Sequence, residues 1–393
     1  MRRLVLWFPL ILPAYVLRFS IGPLPTTVLE IAFLALAAGL TWQEGWSIWR
    51  EGLRRSKPWH LAMLAWFFAT LIAVAIAPDR IGAFGLWRAY VLEPMLFGIL
   101  AWSVIKTEAD RRTVLHALIT IVTLIAVWCV FQFVTNSHIP TPWNTADLAS
   151  RRATGPFPFP NAVALFVVPL TALFLGLLIS KERPPTKQLW LIIGSLSGII
   201  ATLLAKSDGG LIALLACVGL ALLWNPKTRW KAVALGAIGA ITILVVPTLR
   251  TRALDVLLFR EWSGKVRLII WNESWTMLKD RPLTGAGLGA YPDVILPYHK
   301  ATFIEVFQYP HTILLNFWSE TGPLGVLAFG WICLTWFRYR KQGSTVYLLP
   351  LVAILVHGLV DVPYFKNDLA MQFWLLAALT SASASTSSSK TLA

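Results

Sequence analysis

Apolar residues in this chain gather into blocks separated by short polar breaks, at roughly 4–24, 27–45, 59–77, 84–105, 114–134, 161–180, 189–205, 210–224, 232–249, 312–337, 345–361 and 368–380. A helix needs about 20 mostly apolar residues to cross a bilayer. The pattern predicts an all-α, polytopic transmembrane bundle of about 12 spans, although the blocks between 189 and 224 also admit a different count. No small-residue cleavage site follows the first block, where Gly22-Pro23-Leu24-Pro25 stands instead. That block is expected to be an uncleaved first span. Residues 1–380 read as one membrane domain, and the Ser- and Ala-rich 381–393 as a disordered tail.

Composition narrows the class. Of 393 residues, 57% are apolar and 13% charged, against roughly 25% charged in soluble domains, and the mean hydropathy is +0.66. The net charge of +15 is scattered over the polar breaks rather than gathered on one face, which suits membrane lipid headgroups and excludes nucleic acid. Every second break is basic: Arg50, Arg54, Arg55 and Lys57; Lys106, Arg111 and Arg112; Lys181, Arg183 and Lys187; Lys227, Arg229 and Lys231; Arg338, Arg340 and Lys341. Lys and Arg resist translocation in short loops, so both termini are expected inside. The longer stretches 135–160 and 250–310 then lie outside. Within the second, Leu268, Trp271, Trp275 and Leu278 recur at helical spacing and predict an amphipathic helix on the membrane.

Three outer motifs carry candidate chemistry. Arg151 and Arg152 precede Ala153-Thr154-Gly155-Pro156-Phe157-Pro158-Phe159-Pro160-Asn161, whose prolines and glycine predict a rigid re-entry into the membrane. The same residues also suit a plain helix start with Asn161 as N-cap. Arg267 and Trp271 are followed by Arg281-Pro282-Leu283-Thr284-Gly285-Ala286-Gly287-Leu288-Gly289. No buried strand precedes these glycines and their spacing is wrong for a dinucleotide loop. Their N–H groups suit a phosphate or sugar, or an ordinary turn. Tyr309-Pro310-His311-Thr312 runs on to Glu320-Thr321-Gly322. His311 reads as a general base or as an interfacial anchor. Glu320, nine residues on, is half a turn out of phase and is not expected to orient it.

Taken in order, these segments resemble the O-antigen ligase and polymerase family of integral membrane glycosyltransferases, over about residues 60–375. The resemblance rests on Arg-x-x-Gly ending in Pro-Asn, Arg-x-x-x-Trp followed by Pro-Leu-x-Gly-x-Gly, and Pro-His with a downstream Glu-x-Gly. Thr312 stands where the family usually has Asn, and Lys206-Ser207-Asp208-Gly209-Gly210 replaces a commoner Ser-Arg-Gly. The resemblance implies a GT-C-like fold in a bacterial inner membrane, with the active site facing the periplasm or exterior. It implies an undecaprenyl-diphosphate-linked glycan donor, a glycolipid or glycan acceptor, and no metal or other cofactor. By the same resemblance Arg152 and Arg267 hold the diphosphate and His311 takes the acceptor's proton. Arg151, Asn161, Trp271, Arg281, Gly285, Gly287 and Glu320 are then candidate substrate-binding residues.

Arg88 joins that set because intramembrane charges are functional candidates by default. Arg88 and Glu93 are five apart, about 140° around an α-helix, so each is expected to seek partners elsewhere in the bundle. Structural pairing in the bundle is the favoured role for both, and Asp361, at the end of the eleventh block, is an intramembrane charge of the same kind. Cys129, Cys217 and Cys333, and His60, His116, His138, His299 and His357, form no metal-ligand spacing. Two functions remain within the resemblance, ligation of a glycan and polymerisation of its repeat units for lipopolysaccharide or another envelope polysaccharide. A third, a flippase for the same lipid-linked sugar, belongs to another class. It is disfavoured because the two halves show no repeat symmetry.

Overall fold

Proline and glycine decide where the apolar blocks form straight helices and where they break. The computed structural model describes residues 1–22, 24–180, 184–339 and 345–385, which are mostly helical. Lys181, Arg183, Arg340 and Lys341 of the basic breaks, and residues 386–393 of the expected tail, lie outside the described residues.

Helix α1 (Arg2–Trp7) passes into a 3-10 segment, Phe8–Val16, containing Pro9 and Pro13. An antiparallel hairpin follows, β1 (Arg18–Ile21) with β2 (Leu24–Thr27). A straight first span over 4–24 is therefore not formed. Its prolines cannot donate to a helical ladder, and Gly22 takes a positive φ of 59° at the turn. The chain continues through α2 (Val28–Glu44), α3 (Ser47–Ser56), α4 (His60–Ile76), α5 (Arg80–Trp87), α6 (Glu93–Val104), α7 (Glu108–Thr135), α8 (Pro160–Ile179), α9 (Gln188–Leu204) and α10 (Asp208–Trp224). It ends with α11 (Arg229–Val245), α12 (Pro247–Leu257), α13 (Trp262–Asp280), α14 (Tyr291–Val294), α15 (Ile313–Tyr339), α16 (Leu349–His357) and α17 (Asn367–Ser385). The last helix runs to Ser385, past residue 381, where the tail is expected to begin.

Four helical stretches among the described residues are long and apolar enough to cross a bilayer: Ser47–Ile76, Arg80–Val104, Glu108–Thr135 and Pro160–Ile179. A fifth is reached if Arg229–Val245 and Pro247–Asp280, bent by 100°, cross as one. Other blocks are shorter or interrupted for local reasons. The block at 312–337 bends at Gly322, with φ 65° and ψ −176°, just before Pro323. Between α5 and α6, residues Arg88–Leu92 form a π turn in which the Glu93 N–H donates to the Arg88 carbonyl. That register stacks residue i over i+5. Arg88 Nε therefore comes within 3.5 Å of Glu93 Oε1, contrary to the α-helical expectation that the two point apart. Arg88 also pairs with Glu30 of α2 at 2.6 Å.

Helix α8 is the central strut, packed against α9, α10 and α16. Lipid offers little hydrophobic drive for helix association, so close van der Waals fit must supply it. Small residues permit that fit. A Cβ at Gly198 would lie 1.8 Å from Thr171 Oγ1, and one at Gly52 would lie 2.3 Å from the Ile99 carbonyl. The helix expected near residues 268–278 exists as α13, but with a different inner face. Val266, Ile270, Ser274, Met277 and Leu278 are buried, whereas Leu268 and Trp275 are each 45% exposed. The inner edge meets Ile304 at one end and the Ala286–Ile295 segment at the other.

Candidate active site

Four separate segments are tied together around one cavity. The first is the loop leaving α7. Gln132 of α7, fully buried, accepts the N–H groups of Thr154 and Gly155 at 3.0 and 2.8 Å and donates to the carbonyls of His138 and Gly155. This pins the Thr154–Gly155 turn. Arg151 spends its guanidinium on the carbonyls of Phe133, Thr145 and Ala146, at 2.7, 2.9 and 3.2 Å. It is a staple within the loop and does not line the cavity.

Arg152 points the other way, into the cavity. Its Nε donates to the Ala205 carbonyl at 2.9 Å, and its Nη2 to Asn161 Oδ1 at 2.7 Å and the Lys206 carbonyl at 3.2 Å. No partner among the described residues takes Nη1. Burial pulls this guanidinium below its ordinary value, opposed by Asp208. Phe159, not Asn161, is the N-cap of α8, so the plain helix-start reading of Asn161 does not hold. Its side chain instead joins Arg152 to Asp361 Oδ2, to which Nδ2 donates at 3.1 Å.

Arg267 reaches the same cavity from α13, with Nε on the Val360 carbonyl at 2.9 Å and Nη1 on Ser263 Oγ at 2.7 Å. Trp271, one turn on, donates its Nε1 to the Pro310 carbonyl at 2.8 Å. It thereby anchors the residue before His311. On the other side, the Ile313 N–H and Thr312 Oγ1 both donate to the Gly358 carbonyl, at 2.7 and 3.3 Å. These ties bring His311, at φ 50°, against the segment joining α16 to α17.

That segment supplies Asp361, 1% exposed, whose Oδ1 stands 3.4 Å from His311 Nδ1. Burial pushes the Asp361 carboxyl up, but the contact with His311 and the positive surroundings outweigh it, and the acid lies below the ordinary carboxylate range. His311 also lines the cavity. With Nδ1 turned to Asp361, Nε2 is the ring nitrogen left for chemistry.

The cavity encloses about 840 Å³, and Tyr15, Arg18, Trp143, Phe157, Phe159, Glu305, Phe307, Tyr309 and Lys366 complete its wall. Burial lowers the Lys366 ammonium to about 8 and raises the Tyr309 phenol well above its usual value. No group of three or more His, Cys, Asp or Glu side chains fit to hold a metal occurs among the described residues.

Of the residues singled out in the sequence, Arg152, Asn161, Arg267 and His311 converge here, with Trp271 one contact behind. Arg281, Gly285, Gly287 and Glu320 do not line the cavity. Arg281 ends α13, while Glu320 and the glycine loop form a lock between α4 and α15: the Gly289 N–H donates to Glu320 Oε2, Ala286 N–H to the Ser319 carbonyl at 2.6 Å, and Leu288 N–H to the Ala73 carbonyl at 3.3 Å. Arg88 is likewise elsewhere, paired with Glu30 and Glu93. The sequence did not single out Arg18, Gln132 or Lys366, and marked Asp361 only as an intramembrane charge without a role. The one available signal for Asp361 was an acid isolated in an otherwise apolar stretch.

The family described as O-antigen ligase matches residues 193–330, a segment holding Arg267 and His311 but not Arg152 or Asp361. The general O-oligosaccharyltransferase of Acinetobacter baylyi (strain ATCC 33305 / BD413 / ADP1) is 24% identical over 356 residues, 81% of this chain. The chain spans 59% of that relative's length. Over the matched segment and along most of its length, the chain is thus similar to proteins described as O-antigen ligase and O-oligosaccharyltransferase.

Proposed function

We propose that the protein is a membrane glycosyltransferase that moves a glycan from an undecaprenyl-diphosphate carrier to an acceptor hydroxyl on a glycolipid or glycan. The observation that carries this reading is the convergence of two partly uncommitted arginines with a His–Asp pair on one cavity wall. In the reaction the acceptor oxygen attacks the anomeric carbon, the bond from that carbon to the phosphate oxygen breaks, and the diphosphate leaves with the electron pair. Arg152 Nη1 and Arg267 Nη2 offer N–H groups to the charge growing on the leaving phosphate, where planar guanidinium forks bind well. His311 Nε2 takes the acceptor proton. Asp361 holds the ring and balances the charge it acquires. No step calls for a metal.

The name of the relative, an O-oligosaccharyltransferase, favours ligation of a preassembled glycan over polymerisation of repeat units. We read the chain as lying in a bacterial inner membrane with about twelve crossings, both ends inside, and the cavity open to the periplasm or exterior. The alternation of basic breaks supports this. Cysteines introduced at Asp147 and Arg54, in a background lacking the native three, should label from opposite sides with an impermeant thiol reagent.

The reaction itself is tested with the purified chain in nanodiscs, a glycan-bearing lipid diphosphate, and EDTA throughout. Arg152→Lys and Arg267→Lys should lower transfer while the protein stays folded, because the ammonium keeps the charge but loses the fork. His311→Ala should leave donor affinity near the parent's and lower turnover by about 10²–10⁴-fold. Transfer at the parent rate by His311→Ala, or transfer that needs a divalent ion, would overturn the mechanism.

A further inference from the structure

The cavity wall has a second cationic region that the transfer chemistry does not use. Lys366 is only 7% exposed, lines the cavity, and has no hydrogen-bond partner for Nζ among the described residues. Its ammonium rests 4.0 Å from the centre of the Phe159 ring. Arg18, from β1, lines the same cavity, with its guanidinium 5.6 Å above Tyr15.

Among the described residues, no carboxylate forms an ion pair with either cation. Asp368 and Asp361 both exert fields on Lys366, yet neither forms an ion pair with it among the described residues, and Glu305 on the cavity wall pairs with neither Lys366 nor Arg18. The pair Arg152 and Arg267 is tied instead to Asn161, Ser263 and the carbonyls of Ala205, Lys206 and Val360. A buried ammonium without a hydrogen-bond acceptor is unfavourable unless something compensates it. The aromatic face of Phe159 compensates only in part. An anion entering the cavity would complete the compensation, and Tyr15, Phe159 and Tyr309 offer flat walls to the apolar faces of a sugar ring.

We propose that Lys366, with Arg18, forms an anion subsite separate from the arginine pair, which receives a carboxylate or phosphate group carried by a glycan substrate. The word glycan rests on the transferase reading above, whereas the anion subsite does not. The enzyme would then prefer an acidic sugar at this position over a neutral one.

The test measures binding, not transfer, so that it stands apart from the glycosyltransferase assignment. Full-length protein in phosphatidylcholine nanodiscs is titrated by saturation-transfer NMR with methyl glucuronide, glucose 6-phosphate and methyl glucoside. At least one acidic probe should bind tenfold or more tightly than the neutral sugar, and which of the two does so identifies the group. Lys366→Met should erase that preference, Lys366→Arg should keep most of it, and Arg267→Ala should leave it in place. Arg18→Gln, at an exposed position, should weaken the preference and serves if Lys366→Met does not fold. The proposal falls if the parent shows no acidic preference, if Lys366→Met or Arg18→Gln keeps it whole, or if Arg267→Ala alone removes it. Failure of glycan transfer with a preserved Lys366-dependent preference would sink the transferase reading and leave the subsite standing.

Discussion

His311 and Asp361 meet across the gap between two helices, Nδ1 to Oδ1 at 3.4 Å, because Thr312 and Ile313 are both bonded to the carbonyl of Gly358. Asp361 does not line the cavity, so in the proposed mechanism it is a positioning residue. Asp361→Asn should keep the fold and the donor affinity, since the amide is nearly isosteric, while kcat falls by about 10–10³-fold for want of the negative charge opposite the imidazole. An unchanged kcat with a raised KM would assign Asp361 to binding instead.

The lock between α4 and α15 gives a second test. Gly287 has φ +92°, and a Cβ there would lie 2.7 Å from the Ala77 Cα. Gly287→Ala should cost about 2 kcal/mol or more from backbone strain and crowding together. The loss should appear as a lower melting temperature in detergent, with donor affinity unchanged in the molecules still folded. A stable Gly287→Ala protein that no longer binds donor would return the glycine loop to the substrate site.

The sequence carried the helical class and the convergent quartet of Arg152, Asn161, Arg267 and His311, because those motifs are local strings of residues. It did not carry partners set by long-range geometry. Asp361 is brought to His311 by a backbone tie between two segments, and Gln132 fixes the Thr154–Gly155 turn from a neighbouring helix; neither relation leaves a spacing in the chain. The glycine motif misled for a related reason. Small residues followed by Glu320 look like a ligand loop, but here their lack of side chains lets backbones of α4 and α15 approach. Arg88 has the partner expected on another helix, Glu30, but a π turn also brings it to Glu93, from which an α-helical wheel separates it.

Arg88 is therefore expected to be a structural cation. Removing it as Arg88→Ala leaves Glu30, 1% exposed, without its charge partner at 2.6 Å. Stripping one member from a buried pair destabilises by about 3–5 kcal/mol. Yield and thermal stability should fall together, and donor affinity in the surviving fraction should match the parent. Full stability combined with lost donor binding would make Arg88 a substrate contact after all.

The last prediction concerns pH and the segment after α14 that forms part of the cavity wall. His299 faces acceptors on both ring nitrogens, Glu273 Oε2 at 3.0 Å from Nδ1 and the Ile304 carbonyl at 3.0 Å from Nε2. Only the imidazolium can donate to both, and the hydrogen bond with Glu273 raises the His299 value above its ordinary 6.5. A raised histidine stabilises the folded loop fully below the unfolded value, and the contribution disappears as pH climbs through the folded one. Glu273 also accepts the N–H groups of Lys300 and Ala301, so loosening at His299 passes to the following residues, including Glu305–Gln308 on the cavity wall. Amide exchange across 300–308, corrected for the intrinsic rate, should show protection that is highest in mild acid and declines above neutrality. His299→Gln should flatten the profile, because the amide does not titrate in that range. Protection that is flat in the parent, or that grows with pH, would show that the imidazolium does not hold this segment.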